Sequence, residues 1–401
     1  MSKILELRNC VRDYAWGSSS LLTELLGTPN PSGGPQAELW MGAHPAAASQ
    51  VEGDHGWISL SQWIAEDPAG RLGARTVEQH GDELPFLFKV LAANEPLSLQ
   101  AHPDARQARH GFARENEAGL PADSLLRSYR DPRPKPELLC ALTPFDALLG
   151  FRPPQEICTR LGALELRECE EAIQALSRGG SDALRVFFAW LVSQDEKTQS
   201  RLARKAAKRC LALPEDEARG WVVELSKKYP DDIGILAPLF LNVVRLAPGQ
   251  AVYLPAGELH SYLSGCGVEI MANSDNVLRG GLTHKHVDVS ELVDVLTFAT
   301  GPVSVVEPVD VGPGVRRYET SASEFELSHV DVTDVHTRVV NDSVEILLCT
   351  SGEGRVFVGE EGEDGNELTF SRGTSLFVSA DTGAYRVEGA CSFFRATLPE
   401  R

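Results

Sequence analysis

Hydrophobic periodicity switches twice along this chain, and the two switches constrain its fold more than any single motif does. Up to about Phe151 short apolar runs are cut by Gly, Pro and Asn, as in LPFLFKVLAANEPLSLQAHPD and PKPELLCALTPFDALLGFR, which is the texture of antiparallel β-structure. Between about Pro153 and Asp232 apolar residues recur at helical spacing in EICTRLGALELRECEEAIQALSRG, DALRVFFAWLVSQ, KTQSRLARKAAKRCLAL and DEARGWVVELSKKYP, and these runs end at Gly or Pro. After one more apolar helix, DIGILAPLFLN, strand texture returns at about Leu241. FATGPVSVVEPVDVGPGV reads as a linker into a last β-rich region ending at Arg401. A chain of 401 residues exceeds what one core usually serves. The expected division is therefore a β-domain in two parts, 1–152 and 241–300, a helical insertion at 153–240, and a second β-domain at 301–401.

Charge narrows the partners. With 38 basic and 57 acidic residues the formal charge is −19, which argues against nucleic acid and against an anionic membrane surface, since both demand basic fields. Any phosphate site must be local. The opening MSKILELRNCVRDYAWGSS has scattered charges and no apolar run long enough for a signal peptide or a membrane span, so the cytosol is the expected location. Cys10, Cys140, Cys158, Cys169, Cys210, Cys266, Cys349 and Cys391 contain no CxxC pair. Free, mostly buried thiols are expected, rather than a thiolate cluster or a redox pair.

The segment from Gly249 to His260 fits G-x5-P-x-G-x2-H, in which Pro255 and Gly257 make a turn that presents His260 from a strand into a barrel; it resembles the second cupin motif. In SLQAHPD, strand alternation puts Ser98, Gln100 and His102 on one face. Burying an amide and an imidazole without partners costs several kcal/mol, and a metal ion satisfies both. In PKPELLCAL, Lys135 and Glu137 likewise share a face while Pro136 disfavours a helix. Taken singly, His102 reads sooner as a satisfied core histidine and Glu137 sooner as the ion-pair partner of Lys135. Taken together, Gln100, His102, Glu137 and His260 form an N2O2 set that suits zinc, although ligand type alone also admits iron or manganese.

Downstream, GCGVEIMANSDNVLRGGLTHKHVD places Glu269 among Val268, Ile270 and Met271, where burial pushes a carboxyl toward its protonated form and prepares it for proton transfer. Arg279 and Lys285, beside glycines in an acidic chain, read as an anion site. A faint internal copy links PGQAVYLPAGELHSYLSG, ending at Gly265, with SRGTSLFVSADTGAYRVEG, ending at Gly389; each has Gly, five residues, a small turn and an outgoing strand, and the second lacks the histidine. A duplicated jelly roll with ligands in one half accounts for this.

YAWGS, AELWMGAHP, LPFLFKVL, SLQAHPD, KPELL, LPAGELHSYLSG and NSDNVLRGGLT resemble, in order and spacing, the type I phosphomannose isomerase family through about Val287. After Glu307 the likeness is only one of general character, to the family's metal-free jelly roll. The resemblance implies a mainly β, cupin-type catalytic domain with a helical insertion and a second C-terminal jelly roll. It further implies one zinc on Gln100, His102, Glu137 and His260, and a hexose 6-phosphate pocket formed by Trp16, Lys89, Ser98, Lys135, Tyr262, Glu269, Asp275, Arg279 and Lys285. The activity it implies is interconversion of mannose 6-phosphate and fructose 6-phosphate through an enediol; a monomer is the separate expectation for its assembly. Ser98, Lys89, Arg279 and Lys285 would take the phosphate. Lys135 or Glu269 would be the base, with a lean to Lys135 tuned by Asp275, and Arg279 would stabilise charge. Two positions depart from the pattern: Pro134 stands where the family commonly has His, and Thr283, His284 and Lys285 stand in place of Thr-Pro-Lys. The competing readings are an iron-dependent oxygenase on the same fold and a non-catalytic sugar-phosphate-binding cupin. Gln100 and the basic cluster speak against the first, and the intact four-ligand set against the second.

Overall fold

The structure, a computed structural model, describes residues 3–53, 56–180, 182–339, 343–359 and 367–399. Two large antiparallel sheets dominate it, so the chain is mainly β. The first sheet runs in the order Val305–Val306, Ala251–Leu254, Glu137–Ala141, His260–Ala272, Phe86–Ala93, Glu38–Met41, Cys10–Arg12. A second layer, containing Leu99–Ala101, Phe145–Phe151, Leu241–Leu246 and Leu278–Gly281, hangs from the same long strand His260–Ala272. The first residues of that strand, 260–264, pair with the second layer, and from Gly265 onward it pairs with Phe86–Ala93 and Glu137–Ala141. The change of layer falls at Gly265, where φ is +121° and a Cβ would stand 2.7 Å from the carbonyl oxygen of Pro144, so only glycine fits. The turn motif suggested a barrel; the strands instead stack as layered sheets that do not close, because one bent strand serves both layers.

Strand alternation sorts the side chains. Phe88, Val90, Leu138, Val268 and Ile270 face outward, against Ile346, Leu348, Phe377 and Phe394 of the second sheet and Phe325 just before its strand Glu326–Val332. Their sequence neighbours Lys89, Glu137 and Glu269 face inward, between the two layers, with Leu91, Leu139 and Tyr262. Helices between 154 and 240 cover the outer face of the second layer, where Leu148, Leu259 and Leu263 meet Phe188, Leu202, Val222 and Leu236. Every residue of Phe86–Ala93 is consequently buried, and both of its faces do work. One carries packing and the other carries charge.

The second sheet orders Ile4–Glu6, Ser375–Val378, Glu345–Val358, Ala384–Thr397, Glu326–Val332, Val315–Tyr318, Val309–Gly312. Its edge strand comes from the start of the chain. Val305–Val306 joins the first sheet and Val309–Gly312 the second, so the Pro- and Val-rich segment is the crossing between them. The internal copy is visible as two short strands, Ala251–Leu254 and Ser375–Val378, each followed by a long strand with a positive-φ glycine five residues in, Gly265 at +121° and Gly389 at +130°.

Expectation and structure differ in the first 152 residues, which read as β throughout yet contain the helices Leu21–Leu26, Leu60–Glu66, Pro68–Leu72, Ala74–His80 and Ala105–Glu117. Ala105–Glu117 has a local cause: Asp104 accepts from the N–H groups of Arg106 and Gln107, and the Gln107 side chain accepts from the Asp104 N–H. All eight cysteines are free, six of them buried. No helix among the described residues is long and apolar enough to cross a membrane.

Candidate metal centre and substrate cleft

His102 follows the strand Leu99–Ala101, and its Nδ1 lies 2.7 Å from the backbone oxygen of Asn276. His260 opens its strand with Nδ1 2.9 Å from the backbone oxygen of Glu258. A carbonyl can only accept, so in the neutral rings Nδ1 carries the proton and Nε2 carries a lone pair, a tautomer assigned from these bonds. Both Nε2 atoms face the Glu137 carboxylate, His102 at 3.3 Å from Oε1 and His260 at 3.6 Å from Oε2. His102 Nε2 is buried without a hydrogen-bond partner. The donor atoms of His102, Glu137 and His260 all lie within 4.8 Å of one another. Two lone pairs and a carboxylate aimed into one dry volume repel each other, and a cation between them removes the conflict.

The protonation states fit that role. Burial drives both imidazoles toward the neutral, ligating form, His260 down to about 4. Burial opposes ionisation of Glu137, but the Lys135 ammonium beside it outweighs burial and holds the carboxyl well below the usual range. Gln100 pairs with His260 across the strands and donates through Nε2 to Ser98 Oγ at 3.3 Å, leaving its amide oxygen as the atom to offer a cation. It lines a pocket of about 80 Å³ with Glu137 and His260. Two imidazoles, a carboxylate and an amide suit zinc.

Around the donors lies a ladder of buried charge. Lys135 Nζ is 3.0 Å from Glu137 Oε1. Lys89, directly across the strands from Glu269, holds its ammonium 2.7 Å from Glu269 and 3.5 Å from Glu38. Burial would lower the Lys89 pKa, yet Glu269, Glu38 and Glu137 together raise it, so it stays charged. Glu269 is pushed upward by burial, against the pull of Lys89. Tyr262 lines the small pocket, with its hydroxyl buried and unpartnered.

The pocket opens into a cleft of about 450 Å³, and Lys89, Ser98, Gln100 and Lys135 border both. Trp16, Asp275, Arg279 and Lys285 complete the expected set along the cleft. Burial lowers the pKa of Arg279 and Lys285, and so does neighbouring positive charge: Arg130 acts on both, and Arg279 on Lys285. A hollow of about 520 Å³ elsewhere, lined by Tyr253, Glu258, Thr300 and Glu319, holds none of the residues expected at the site. The sequence reading missed Glu38 and His44. Both lie within AELWMGAHP, which was singled out as a whole and not residue by residue. His44 Nε2 sits 3.4 Å from Asp275 Oδ1, and this bond is the chief cause holding Asp275 below the ordinary carboxylate range.

Two histidines and a carboxylate converging between cupin-type β-layers define a metal-binding cupin. The sequence matches the family models for the phosphomannose isomerase type I catalytic domain over residues 4–154 and for the mannose-6-phosphate isomerase cupin domain over residues 315–398. Mannose-6-phosphate isomerase of Escherichia coli is 40% identical over 96% of this chain and 97% of its own. Mannose-6-phosphate isomerase 1 of Arabidopsis thaliana is 36% identical over 100% of this chain and 95% of its own. A crystal structure of the Salmonella typhimurium mannose 6-phosphate isomerase, bound to its substrate fructose 6-phosphate and to zinc, superposes with a TM-score of 0.91 at 37% identity, covering 99% of this chain and 100% of that one. The chain belongs to the type I phosphomannose isomerase family.

Proposed function

We propose that this chain is a zinc-dependent aldose-ketose isomerase that interconverts D-mannose 6-phosphate and D-fructose 6-phosphate through an enediol. The observation that carries the reading is the convergence of His102, Glu137 and His260 at the inner end of a cleft whose outer wall bears Arg279 and Lys285. Gln100, His102, Glu137 and His260 hold the metal. A bound zinc ion supplies Lewis acidity to the sugar's carbonyl and hydroxyl oxygens.

The other residues bind, orient and move protons. Ser98, Arg279 and Lys285 take the phosphate at the mouth of the cleft. Lys89, implied with them by the family resemblance, reaches the cleft from inside while tied to Glu269 and Glu38, and so also fixes those carboxylates. Trp16 and Tyr262 wall the sugar. Lys135 Nζ, which borders both the pocket and the cleft, would give up its ammonium proton to solvent once a cation takes its place against Glu137, then take the C2 proton and return it to C1. Arg279 offsets the charge that develops, and Asp275 sets the field at Lys135. Glu269 is the second candidate for the base, supported by its upward shift.

In this reading 1–152 and 241–300 form the catalytic unit, 153–240 the helical cover, and 301–401 a jelly roll without ligands. The enzyme works in the cytosol as a monomer. A coupled assay for fructose 6-phosphate, run before and after chelation and again with zinc restored, tests the whole. Activity should vanish with the metal and return with zinc; inactive metal-replete protein sinks the proposal. Lys135→Met should keep zinc and abolish turnover, and near-normal activity there moves the base to Glu269.

A further inference from the structure

Two cations line the mouth of the cleft and a third is anchored beside them, and none of the three makes an ion pair among the described residues. Arg279 and Lys285 line it. The third is Arg130, which no motif marked. In a chain with 57 acidic and 38 basic residues, three positive charges with one carboxylate, Asp275, near them leave an excess of positive charge that an anion would offset.

The backbone of Arg130 is fixed there by the fully buried Asn276. Asn276 Oδ1 accepts from the N–H of Arg130 at 2.7 Å and of Asp131 at 3.2 Å, and its Nδ2 donates to the backbone oxygens of Asp131 and Arg133, both at 2.8 Å. Asp131 Oδ2 accepts from the Asp275 N–H at 2.8 Å, and Val277 N–H donates to the Ser128 oxygen at 3.4 Å. Segment 128–133 is thereby bound along 274–277, the stretch that leads into the strand Leu278–Gly281 and Arg279. The side chain, by contrast, is loosely held. It is exposed, and its guanidinium only reaches the backbone oxygens of Ala122 and Ser124, each at 3.5 Å, the long limit of a hydrogen bond.

We propose that Arg130 is a third phosphate-binding cation, which leaves those two carbonyls and closes on the phosphate of the sugar beside Arg279 and Lys285. The inference rests on the hexose-phosphate reading above. A dianion is better matched by three positive charges than by two, and a guanidinium offers it paired donors. The bonds from Asn276 and Asp275 to segment 128–133 place Arg130 beside the stretch that leads into Arg279, and Arg130 adds to burial in lowering the pKa of Arg279 and Lys285.

The test compares wild type, Arg130→Ala and Arg130→Lys, all zinc-replete. For each, KM and kcat for mannose 6-phosphate are measured, together with the inhibition constant of inorganic phosphate. Arg130→Ala should raise KM and the phosphate inhibition constant together by about 10-fold, the size of one charge-assisted hydrogen bond, with kcat changed by less than about 2-fold. Arg130→Lys should recover most of that loss. Unchanged KM and phosphate inhibition in Arg130→Ala overturns the proposal, as does a fall in kcat alone. If wild type fails to turn over mannose 6-phosphate, the isomerase reading falls, and calorimetric titration of wild type and Arg130→Ala with inorganic phosphate still decides whether Arg130 binds the anion.

Discussion

The two sheets share one plan and fill it differently. Each has a short strand, a turn and a long strand that bends at a positive-φ glycine five residues in. In the first, the long strand begins with His260 and sends Tyr262 and Glu269 into an interior that also holds Lys89 and Glu137. In the second it begins with Ala384, and the interior is built from Leu347, Cys349, Val356, Val387 and Phe393. The second interior does contain a carboxylate, fully buried Glu345, but its oxygens are matched by donors: Tyr385 Oη at 2.7 Å and Arg338 Nε at 3.0 Å. In the first, acceptors face acceptors. A buried charge by itself therefore does not mark a site. The mark is a set of buried acceptors that converge on one point, which single unpartnered atoms such as His336 Nε2 do not form.

That contrast can be broken or sharpened by experiment. The largest effect should come from His260→Ala, which removes a donor from the acceptor cluster: bound zinc, measured by elemental analysis, should be lost and turnover should fall by about 10³-fold or more. Retained zinc with near-normal turnover would remove His260 from the centre. Glu345→Ala should behave in the opposite way, costing about 3–5 kcal/mol of stability in denaturant unfolding while kcat per folded molecule holds, because the buried Tyr385 hydroxyl loses its partner and Arg338 loses one of its contacts. A changed kcat would mean that the second interior reaches the site. Phe377 packs edge-on against Trp63 at 5.4 Å in the core shared by both sheets, so Phe377→Ala should cost about 3 kcal/mol. One unfolding transition in that variant would make the sheets a single cooperative unit, and two would separate them.

The smallest effect concerns pH. His336, whose Nε2 is buried and unpartnered, has its pKa lowered from 6.5 by burial first and then by Arg395, with Arg338 adding and Glu345 opposing. The unfolded chain then binds the extra proton first, so stability is full above pH 6.5 and is lost as acid approaches the depressed folded value. His336→Gln should flatten that acid-side slope by about 1 kcal/mol or less, as read from unfolding midpoints between neutral and mildly acidic pH. An unchanged slope would assign it to other groups.

Alternation made the charged face legible: Lys135 with Glu137, and Gln100 beside His102, share faces as period-2 spacing requires. The helical block and the return of strand at Leu241 were also readable, because texture changes there over tens of residues. Partnerships across strands were not. Lys89 meets Glu269 through a register that no single segment encodes, and Glu38 joins them from a third strand. Arg130 was invisible for a related reason. Its position depends on the Asn276 amide, 146 residues away in sequence.

The strand Ile4–Glu6 caps the edge of a sheet whose neighbouring strand, Ser375–Val378, is translated some 370 residues later. During synthesis the early segment has to wait, unpaired, while the first sheet and its helices assemble around it. The last sheet cannot complete its edge until both segments meet, and so the slowest ordering step should be the latest. Clipping those few early residues would uncover the backbone of Ser-Leu-Phe-Val, a short apolar strand ready to pair with a second molecule. Ile4–Glu6 thus covers an apolar edge with a three-residue strand that ends in an exposed charge, Glu6.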